Sequence, residues 1–128
     1  MISVTCAIIQ RDDKILAAQR GQDTHLSGKW EFPGGKVDEG ESEEDCIIRE
    51  IREELGVEVT PTSRLSENVH DYGDKQIRLI PFQCELVSGE PVAREHASLR
   101  WVSIHDLADL TWCEADVPIV EQLSTLTE

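Results

Sequence analysis

The segment from Gly34 to Gly56 constrains the fold of this chain more than any other part of its sequence. Within it, apolar residues recur at the three- and four-residue spacing that places side chains on one face of an α-helix; they are Ile47, Ile48, Ile51 and Leu55. Ser42 precedes this pattern as an N-cap, and Asp45 follows three residues later, as in a capping box. Gly56 favours a left-handed helix end. The segment therefore predicts a helix over Ser42–Leu55 that packs its apolar face into a core.

Strand-forming segments flank this helix on both sides. Before it, β-branched residues predict a hairpin of strands Ser3–Gln10 and Lys14–Arg20 and a short extended piece over Trp30–Phe32. After it, the predicted strands are Val57–Thr60, Ser63–His70, Gln76–Leu86 and Ala97–Val102. This order differs from the regular strand–helix alternation of a doubly wound sheet, so we expect an α+β fold. A length of 128 residues suits one domain, residues 1–128.

Glycines and prolines add two expectations about the strands. Gly34 and Gly35 should interrupt any regular element. Pro81 has no N–H to donate, which predicts an edge position or a bulge for the strand Gln76–Leu86.

The C-terminal part of the chain carries two further helix signals. Ser103 and Asp106 have the capping pattern for a short helix or turn over residues 103–109. Asp116 stands as the N-cap of a final helix over residues 116–126. Both helices should therefore begin at side-chain caps.

The chain has a net charge of −14, from 26 acidic and 12 basic residues. A broad nucleic-acid-binding surface is excluded, because such surfaces depend on Lys and Arg, and an anionic substrate would need cations to reverse the field. No apolar run is long enough to span a membrane, and the first residues lack the features of a signal peptide. The four cysteines are far apart and include no Cys-x-x-Cys pair, which favours buried reduced thiols and a cytoplasmic location.

The acidic charge is concentrated around the predicted helix, where residues 36–54 hold nine acids and three bases. Glu50, Glu53 and Glu54 share one helix face, and like charges about 5–6 Å apart destabilise a helix. Mg²⁺ or Mn²⁺ prefers such oxygen ligands and would remove the repulsion. The alternative is a solvated acidic face. The metal site is favoured by Gly34-Gly35, which permits close backbone approach, and by the nearby carboxylate of Glu41.

The same segment carries a motif with fixed spacing. Gly35 and Glu41 are followed by Arg49-Glu50-Ile51-Arg52-Glu53-Glu54-Leu55-Gly56-Val57. This run matches every fixed position of the Nudix box, Gly-x5-Glu-x7-Arg-Glu-U-x-Glu-Glu-x-Gly-U with U aliphatic, so the chain resembles the Nudix hydrolases. The approach to the box, residues 25–36, resembles the MutT-like branch of that superfamily. The stretches 94–96, 101–103 and 114–118 resemble its cytidine-triphosphate members.

The resemblance implies a Nudix fold, in which a mixed β-sheet is sandwiched between helices (α/β/α). It also implies a Mg²⁺- or Mn²⁺-dependent pyrophosphohydrolase that releases a nucleoside monophosphate and pyrophosphate. The implied substrates are small-molecule nucleotides, either CTP or dCTP types or oxidised dGTP (8-oxo-dGTP), removed in nucleotide-pool housecleaning.

The resemblance also assigns catalytic and metal-binding roles to individual residues. The implied metal ligands are the Gly34 carbonyl, Glu50, Glu53, Glu54 and Glu95. Glu41 and Arg49 would orient the helix and its carboxylates. Glu50 or Glu53 would take the proton from water, and Glu95 could instead serve as that base. His96, next to Glu95, is expected at the surface.

Four residues are candidates for binding substrate. Arg20, which matches a substrate-contacting arginine of the MutT-like branch, and Lys36 would hold phosphate or are surface charges. Phe32 packs against the base or belongs to the core. Asp116 stands where MutT-like enzymes for oxidised guanine commonly carry an Asn that reads the base. An ionised Asp only accepts hydrogen bonds, which suits the exocyclic amine of cytosine, whereas a protonated one also serves guanine.

Two other functions remain open. The first is a Nudix hydrolase of diadenosine polyphosphate, ADP-ribose or a nucleotide sugar, since Tyr72 lies near where a tyrosine marks diadenosine-polyphosphate hydrolases. The second is a non-catalytic Nudix ligand-binding domain, against which the complete box argues. The sequence allows either a monomer or a homodimer.

Overall fold

The computed structural model describes residues 1–126 of the chain. Its strands are β1 (Ile2–Arg11), β2 (Lys14–Gln19), β3 (Trp30–Glu31), β4 (Gly34–Lys36), β5 (Glu58–Arg64), β6 (Asn68–Asp71), β7 (Gln76–Ser88) and β8 (Ser98–Ser103). Its α-helices are α1 (Glu43–Leu55) and α2 (Val117–Leu126), and 3₁₀ turns cover Ile104–Asp109 and Glu114–Asp116. Within the described residues, no helix has the length and apolar character needed to cross a membrane.

One mixed sheet forms the centre of the molecule, with the strand order β3-β2-β1-β7-β5. β1 and β7 run parallel over almost their whole length. The predicted β1–β2 hairpin is confirmed, but its strands pair only beside the turn, at Gln10–Ile15 and Arg11–Lys14. Beyond that point β4 takes the place of β2 against β1, while β2 pairs with β3 and β8. The two strands therefore diverge, and a cleft opens between them.

Helices cover both faces of the sheet. Successive residues of a strand face opposite sides, and in β1 Ala7 and Ile9 pack with α1 whereas Cys6 and Ile8 pack with α2. The buried helix residues are Ile47, Ile51 and Leu55 of α1 and Ile119, Val120 and Leu123 of α2. The structure confirms the α/β/α sandwich and the apolar face predicted for the first helix.

Gly34 and Gly35 do not interrupt the regular structure as expected. They begin β4, because pairing with Thr5 and Cys6 of β1 supplies the backbone hydrogen bonds that a glycine pair lacks locally. The pairing is so close that a Cβ on Gly34 would lie 2.0 Å from the Thr5 carbonyl oxygen.

Of the two alternatives expected from Pro81, the edge position is wrong, since β7 lies between β1 and β5. The alternative of a bulge is closer to the structure, because the β5–β7 ladder shifts register opposite Gln83 and Cys84. On the side away from β1, the partner of β7 changes from β6 to β5 near this residue. The Pro81 carbonyl accepts from Leu65 N–H there, at 2.9 Å. The predicted strand Ser63–His70 is divided at the same place, because residues 65–67 separate β5 from β6. A central proline is tolerated because its missing N–H falls where the ladder is interrupted.

The predicted caps of α1 are confirmed. The Ser42 side chain accepts from Asp45 N–H, and Gly56 ends the helix with φ of 72°. The side-chain cap predicted at Ser103 is wrong, because Ser103 makes no cap hydrogen bond within the described residues. Asp116 does stand directly before α2, which begins at Val117, and its Oδ2 accepts from the Phe32 N–H.

The expected state of the cysteines is confirmed. All four are free thiols buried in the protein. Burial raises the pKa of the Cys84 and Cys113 thiols to about 12.

Candidate active site

Arg49 is the centre of the polar network on α1. It donates from Nε and Nη2 to the two carboxylate oxygens of Glu41, at 2.7 and 3.0 Å. From Nη1 it donates to Glu50 Oε1 at 2.9 Å and to Glu53 Oε2 at 3.3 Å. These hydrogen bonds from Arg49 lower the pKa of Glu41 to about 2. Arg49 therefore connects the loop before the helix to two of the three predicted ligand carboxylates on α1.

Glu54 lies on the same helix in a different environment. It is buried, at 8% exposure, and its Oε2 has no hydrogen-bond partner among the described residues. Burial, followed by the repulsion of Glu50, raises the pKa of Glu54 to about 9. A buried carboxylate oxygen without a donor, with other carboxylates close by, suits a divalent cation. The residues present therefore fit the metal that the sequence predicts.

The glycines before the helix make room for this arrangement. A Cβ on Gly35 would lie 2.2 Å from the Glu50 carboxyl carbon, so only glycine lets the Glu50 head group pack against β4. The Thr5 hydroxyl donates to the Gly35 carbonyl at 3.2 Å.

The carboxylates do not surround a single point. Across residues 1–126, no three His, Cys, Asp or Glu side chains are close enough together to enclose a metal ion. Glu50 and Glu53 are instead turned toward the Arg49 guanidinium, and 58% of the Glu53 side chain is exposed. Binding a cation would require these two side chains to exchange Arg49 for the metal.

A cleft of about 340 Å³ lies between the diverging strands and the end of α1. Six of the predicted site residues line it, namely Arg20, Phe32, Gly34, Glu54, Glu95 and Asp116. Lys36 is not among them; its side chain is exposed on β4, and its carbonyl accepts from Arg49 at 3.2 Å. Its role in holding phosphate stays a prediction. The cleft thus joins Glu54 of the acidic helix face to residues from other parts of the chain, whereas Glu50 and Glu53 do not line it.

Arg20 is held in place by its neighbours in the cleft. Its Nη1 donates to Glu31 Oε1 at 2.9 Å, and its Nε donates to the His25 carbonyl at 2.6 Å. The second oxygen of Glu31 contacts His96 Nε2 at 2.9 Å. The surface position expected for His96 is wrong, because its side chain is only 7% exposed and lines the cleft.

Phe32 and Asp116 form the deep wall of the cleft. Phe32 is 2% exposed and stacks on Trp112 with ring centroids 4.7 Å apart, so it belongs to the core as well as to the lining. Asp116 Oδ2 accepts from the Phe32 backbone N–H at 2.9 Å. Asp116 is 5% exposed, and burial raises its pKa well above the ordinary value, although the Phe32 N–H opposes this. The cleft therefore ends in a carboxyl group that burial pushes toward its protonated form.

Sequence reasoning did not assign Glu31, His96 or His25 to the site. Each lines the cleft, and Tyr72, noted only as a family marker, does so as well. Glu31 had one usable signal, because it is a charged residue in a short apolar strand between Trp30 and Phe32. The burial of His96 depends on contacts with residues 65 positions away and has no local signal.

Comparison with known proteins identifies the architecture around this cleft. The family model described as the NUDIX domain matches residues 1–123. The chain belongs to the Nudix family. Its Nudix box comprises β4, the following loop and α1. The segment that most constrains the fold therefore also carries the acidic face of the site.

Similar proteins show where this chain belongs within the Nudix family. The chain is 37% identical over 126 residues to the CTP pyrophosphohydrolase of Escherichia coli (strain K12), covering 98% of this chain and 93% of that protein. It is 39% identical over 116 residues to the putative 8-oxo-dGTP diphosphatase 2 of Mycobacterium tuberculosis (strain CDC 1551 / Oshkosh), covering 88% and 81%. The solution NMR structure of the MutT protein from methicillin-resistant Staphylococcus aureus 252 superimposes with a TM-score of 0.80 at 42% identity, covering 98% and 96%. The predicted MutT-like Nudix hydrolase is confirmed.

Proposed function

We propose that this Nudix hydrolase is a Mg²⁺- or Mn²⁺-dependent nucleoside triphosphate pyrophosphohydrolase that acts on CTP- or dCTP-type nucleotides or on 8-oxo-dGTP. The observation that carries the proposal is the cleft, which joins Glu54, whose Oε2 has no hydrogen-bond partner among the described residues, to a buried Asp116. Relatives named for CTP and for 8-oxo-dGTP support the same two substrate classes. Removing such nucleotides would serve nucleotide-pool housecleaning, and residues 1–128 would act as one cytoplasmic domain, as a monomer or homodimer.

The acidic face of α1 would hold the metal. Glu50, Glu53 and Glu54 are the proposed ligands, with the Gly34 carbonyl and Glu95 completing the set. Divalent ions supply charge neutralisation on the phosphates and a more acidic bound water. Arg49, paired with Glu41, fixes the first turns of the helix relative to the loop, so that the carboxylates start from defined positions.

Other residues of the cleft would bind the nucleotide. Arg20 is oriented by Glu31 and the His25 carbonyl, so it would present a fixed cation to the phosphate chain. Phe32 offers an apolar surface for a base or sugar. Asp116 accepts hydrogen bonds from cytosine when ionised, and it also donates one when protonated. Its raised pKa favours the protonated form at a higher pH than an exposed aspartate would allow.

A panel of nucleotides tests the proposal. The wild-type protein is incubated with CTP, dCTP, 8-oxo-dGTP, diadenosine polyphosphate and ADP-ribose in Mg²⁺, and pyrophosphate and phosphate release are measured separately. We expect pyrophosphate release from at least one triphosphate. Turnover of ADP-ribose or diadenosine polyphosphate alone would favour the alternative Nudix substrates, for which Tyr72 in the cleft is the one structural observation.

Neutral isosteres test the ligand assignment. Glu53→Gln and Glu54→Gln should each lower kcat by at least about 100-fold, because each removes a carboxylate ligand. Glu44→Gln, on an exposed residue of the same helix, is the matched control and should retain activity. Retained activity in both variants would refute the assignment of the α1 carboxylates as metal ligands.

A further inference from the structure

The turn that carries Asp116 is held by two distant side chains, one from β6 and one from the turn that follows it. Asn68, the first residue of β6, donates from Nδ2 to the Ala115 carbonyl at 2.8 Å. The Ala115 N–H donates to the Tyr72 hydroxyl at 3.0 Å. Both backbone polar groups of the residue before Asp116 are therefore bound by side chains 43 to 47 positions away.

This support matters because the turn is short. The 3₁₀ turn Glu114–Asp116 has three residues, and no side chain among residues 1–126 caps its start. Its backbone is tied to β3 through Cys113 N–H, which donates to the Trp30 carbonyl at 2.8 Å. The Ala115 carbonyl belongs to the peptide unit that leads into Asp116. Fixing that carbonyl and the preceding N–H therefore fixes the direction in which the Asp116 side chain leaves the backbone.

Tyr72 is itself well positioned for this task. Its ring contacts His70 and His25 edge-on, with centroid distances of 4.4 and 5.7 Å. Its backbone N–H donates to the Lys75 carbonyl at 2.9 Å within the β6–β7 turn. The hydroxyl therefore reaches Ala115 from a side chain that two aromatic contacts and a turn hold in place.

We propose that Asn68 and Tyr72 are positioning residues for base selectivity, which hold the Ala115 peptide so that Asp116 faces the nucleobase. They need not touch the base, and they act on selectivity through Asp116. The inference rests on the proposed function, in which Asp116 reads the base. It adds that recognition of the base by Asp116 depends on Asn68 and Tyr72, which belong neither to the Nudix box nor to the proposed metal ligands.

Selectivity ratios test the inference. The kcat/KM values for CTP, UTP, dGTP and 8-oxo-dGTP are measured for wild type, Asn68→Ala, Tyr72→Phe and Asp116→Ala. The selectivity ratio is the quotient of the kcat/KM values for the two nucleotides that the wild-type protein discriminates most strongly. We expect Tyr72→Phe and Asn68→Ala each to lower that ratio by about tenfold, toward the Asp116→Ala value. Val69→Ala, an exposed residue between them in β6, should leave it unchanged.

A structural role without positioning gives a different pattern. It would lower kcat/KM for all four nucleotides equally and leave the ratio at the wild-type value, and this outcome overturns the inference. Adding Asn68→Ala to Asp116→Ala should lower the ratio no further, because both changes remove the same contact. An Asp116→Ala ratio equal to that of wild type also overturns it.

An NMR readout separates this inference from the proposed function. The Phe32 N–H donates to Asp116 Oδ2, so its amide resonance reports the position of that carboxylate. Tyr72→Phe should shift this resonance, and Val69→Ala should not. If the wild-type protein hydrolyses no triphosphate, the proposed function fails. Independently of that result, a Phe32 amide resonance that does not shift in Tyr72→Phe overturns the positioning role. If Asn68→Ala does not fold, the more conservative Tyr72→Phe decides alone.

Discussion

Single atoms decide how this site is built, and the two glycines before the helix give the clearest case. A Cβ at Gly34 would strike backbone, 2.0 Å from the Thr5 carbonyl oxygen, whereas a Cβ at Gly35 would strike the Glu50 side chain at 2.2 Å. Backbone in a central strand cannot move away, but a carboxylate side chain can. Adjacent and chemically identical residues therefore meet different obstacles. A side chain at Gly34, whose carbonyl is also a proposed ligand, would mainly cost stability, whereas one at Gly35 would mainly disturb the geometry of the site.

We expect the two glycine variants to separate these roles. Gly34→Ala should lower the free energy of unfolding by about 3 kcal/mol, as for a severe overpacking. Gly35→Ala should keep most of the stability but lower kcat by about 100-fold, because it displaces Glu50. Gly21→Ala is the control, since its Cβ would come no closer than 4.0 Å to the nearest atom. Urea unfolding and initial rates measure both effects, and equal stability of the Gly34 and Gly35 variants would contradict the account.

Asp116 gives a prediction about pH at the same scale. Its pKa is raised in the folded protein, so its contribution to stability is complete below the ordinary aspartate value and is lost as pH rises through the folded value. Asp116→Asn cannot ionise and keeps an acceptor for Phe32 N–H. The Tm of this variant should therefore increasingly exceed that of wild type as pH rises above the ordinary aspartate pKa. A difference in Tm that does not change with pH would show that burial does not raise this pKa.

Among the elements, α1 is the one whose sequence specifies its own boundaries. Ser42 caps its start through Asp45 N–H, and Gly56 ends it in the left-handed conformation. Arg94 then crosses this end, and a Cβ on Gly56 would lie 2.7 Å from its guanidinium. The 3₁₀ turn after Ser103 has the same cap sequence without the cap hydrogen bond. Equal sequence signals thus produce different contacts, because Ser42 follows a loop whereas Ser103 is the last residue of β8 and pairs with Lys14.

A pair of serine variants tests this difference. Ser42→Ala should destabilise the protein by about 1 kcal/mol, the usual cost of losing an N-cap. Ser103→Ala should cost less than about 0.5 kcal/mol, because no cap hydrogen bond is lost. Chemical denaturation of the two variants under one condition provides the comparison. Equal losses would mean that the observed caps do not account for the boundaries of α1.

At the scale of the whole molecule, sequence reasoning succeeded where structure is local and failed where it depends on distant partners. The helix period, its caps and the shared face of Glu50 and Glu54 all follow from neighbours within four positions. The strand formed by Gly34 and the central place of Pro81 depend on pairing with β1 and on the change from β6 to β5. The burial of His96 against Glu31 likewise joins parts of the chain that only the folded sheet brings together.

The net charge of −14 leads to a prediction about the whole molecule. Divalent ions that bind the folded protein should raise its Tm, and the rise should follow the logarithm of the ion concentration above the Kd of the site. At 100 times that Kd, the free energy of unfolding should increase by about 2.7 kcal/mol. NaCl at matched ionic strength should give a smaller rise, because it only screens the charges. Glu54→Gln should lose the specific Mg²⁺ effect and keep the NaCl effect. An identical response of this variant and wild type to Mg²⁺ would place the ion elsewhere.

We propose that the acidic helix face and the cleft together hydrolyse a nucleoside triphosphate to a monophosphate and pyrophosphate. Phosphorus NMR of the wild-type protein with CTP and, separately, with 8-oxo-dGTP in Mg²⁺ tests it most directly, because it identifies each product. We predict nucleoside monophosphate and pyrophosphate in equal amounts from at least one of the two nucleotides, and no reaction once EDTA is added. Release of orthophosphate with a nucleoside diphosphate would contradict this proposal, and so would a failure to hydrolyse either CTP or 8-oxo-dGTP.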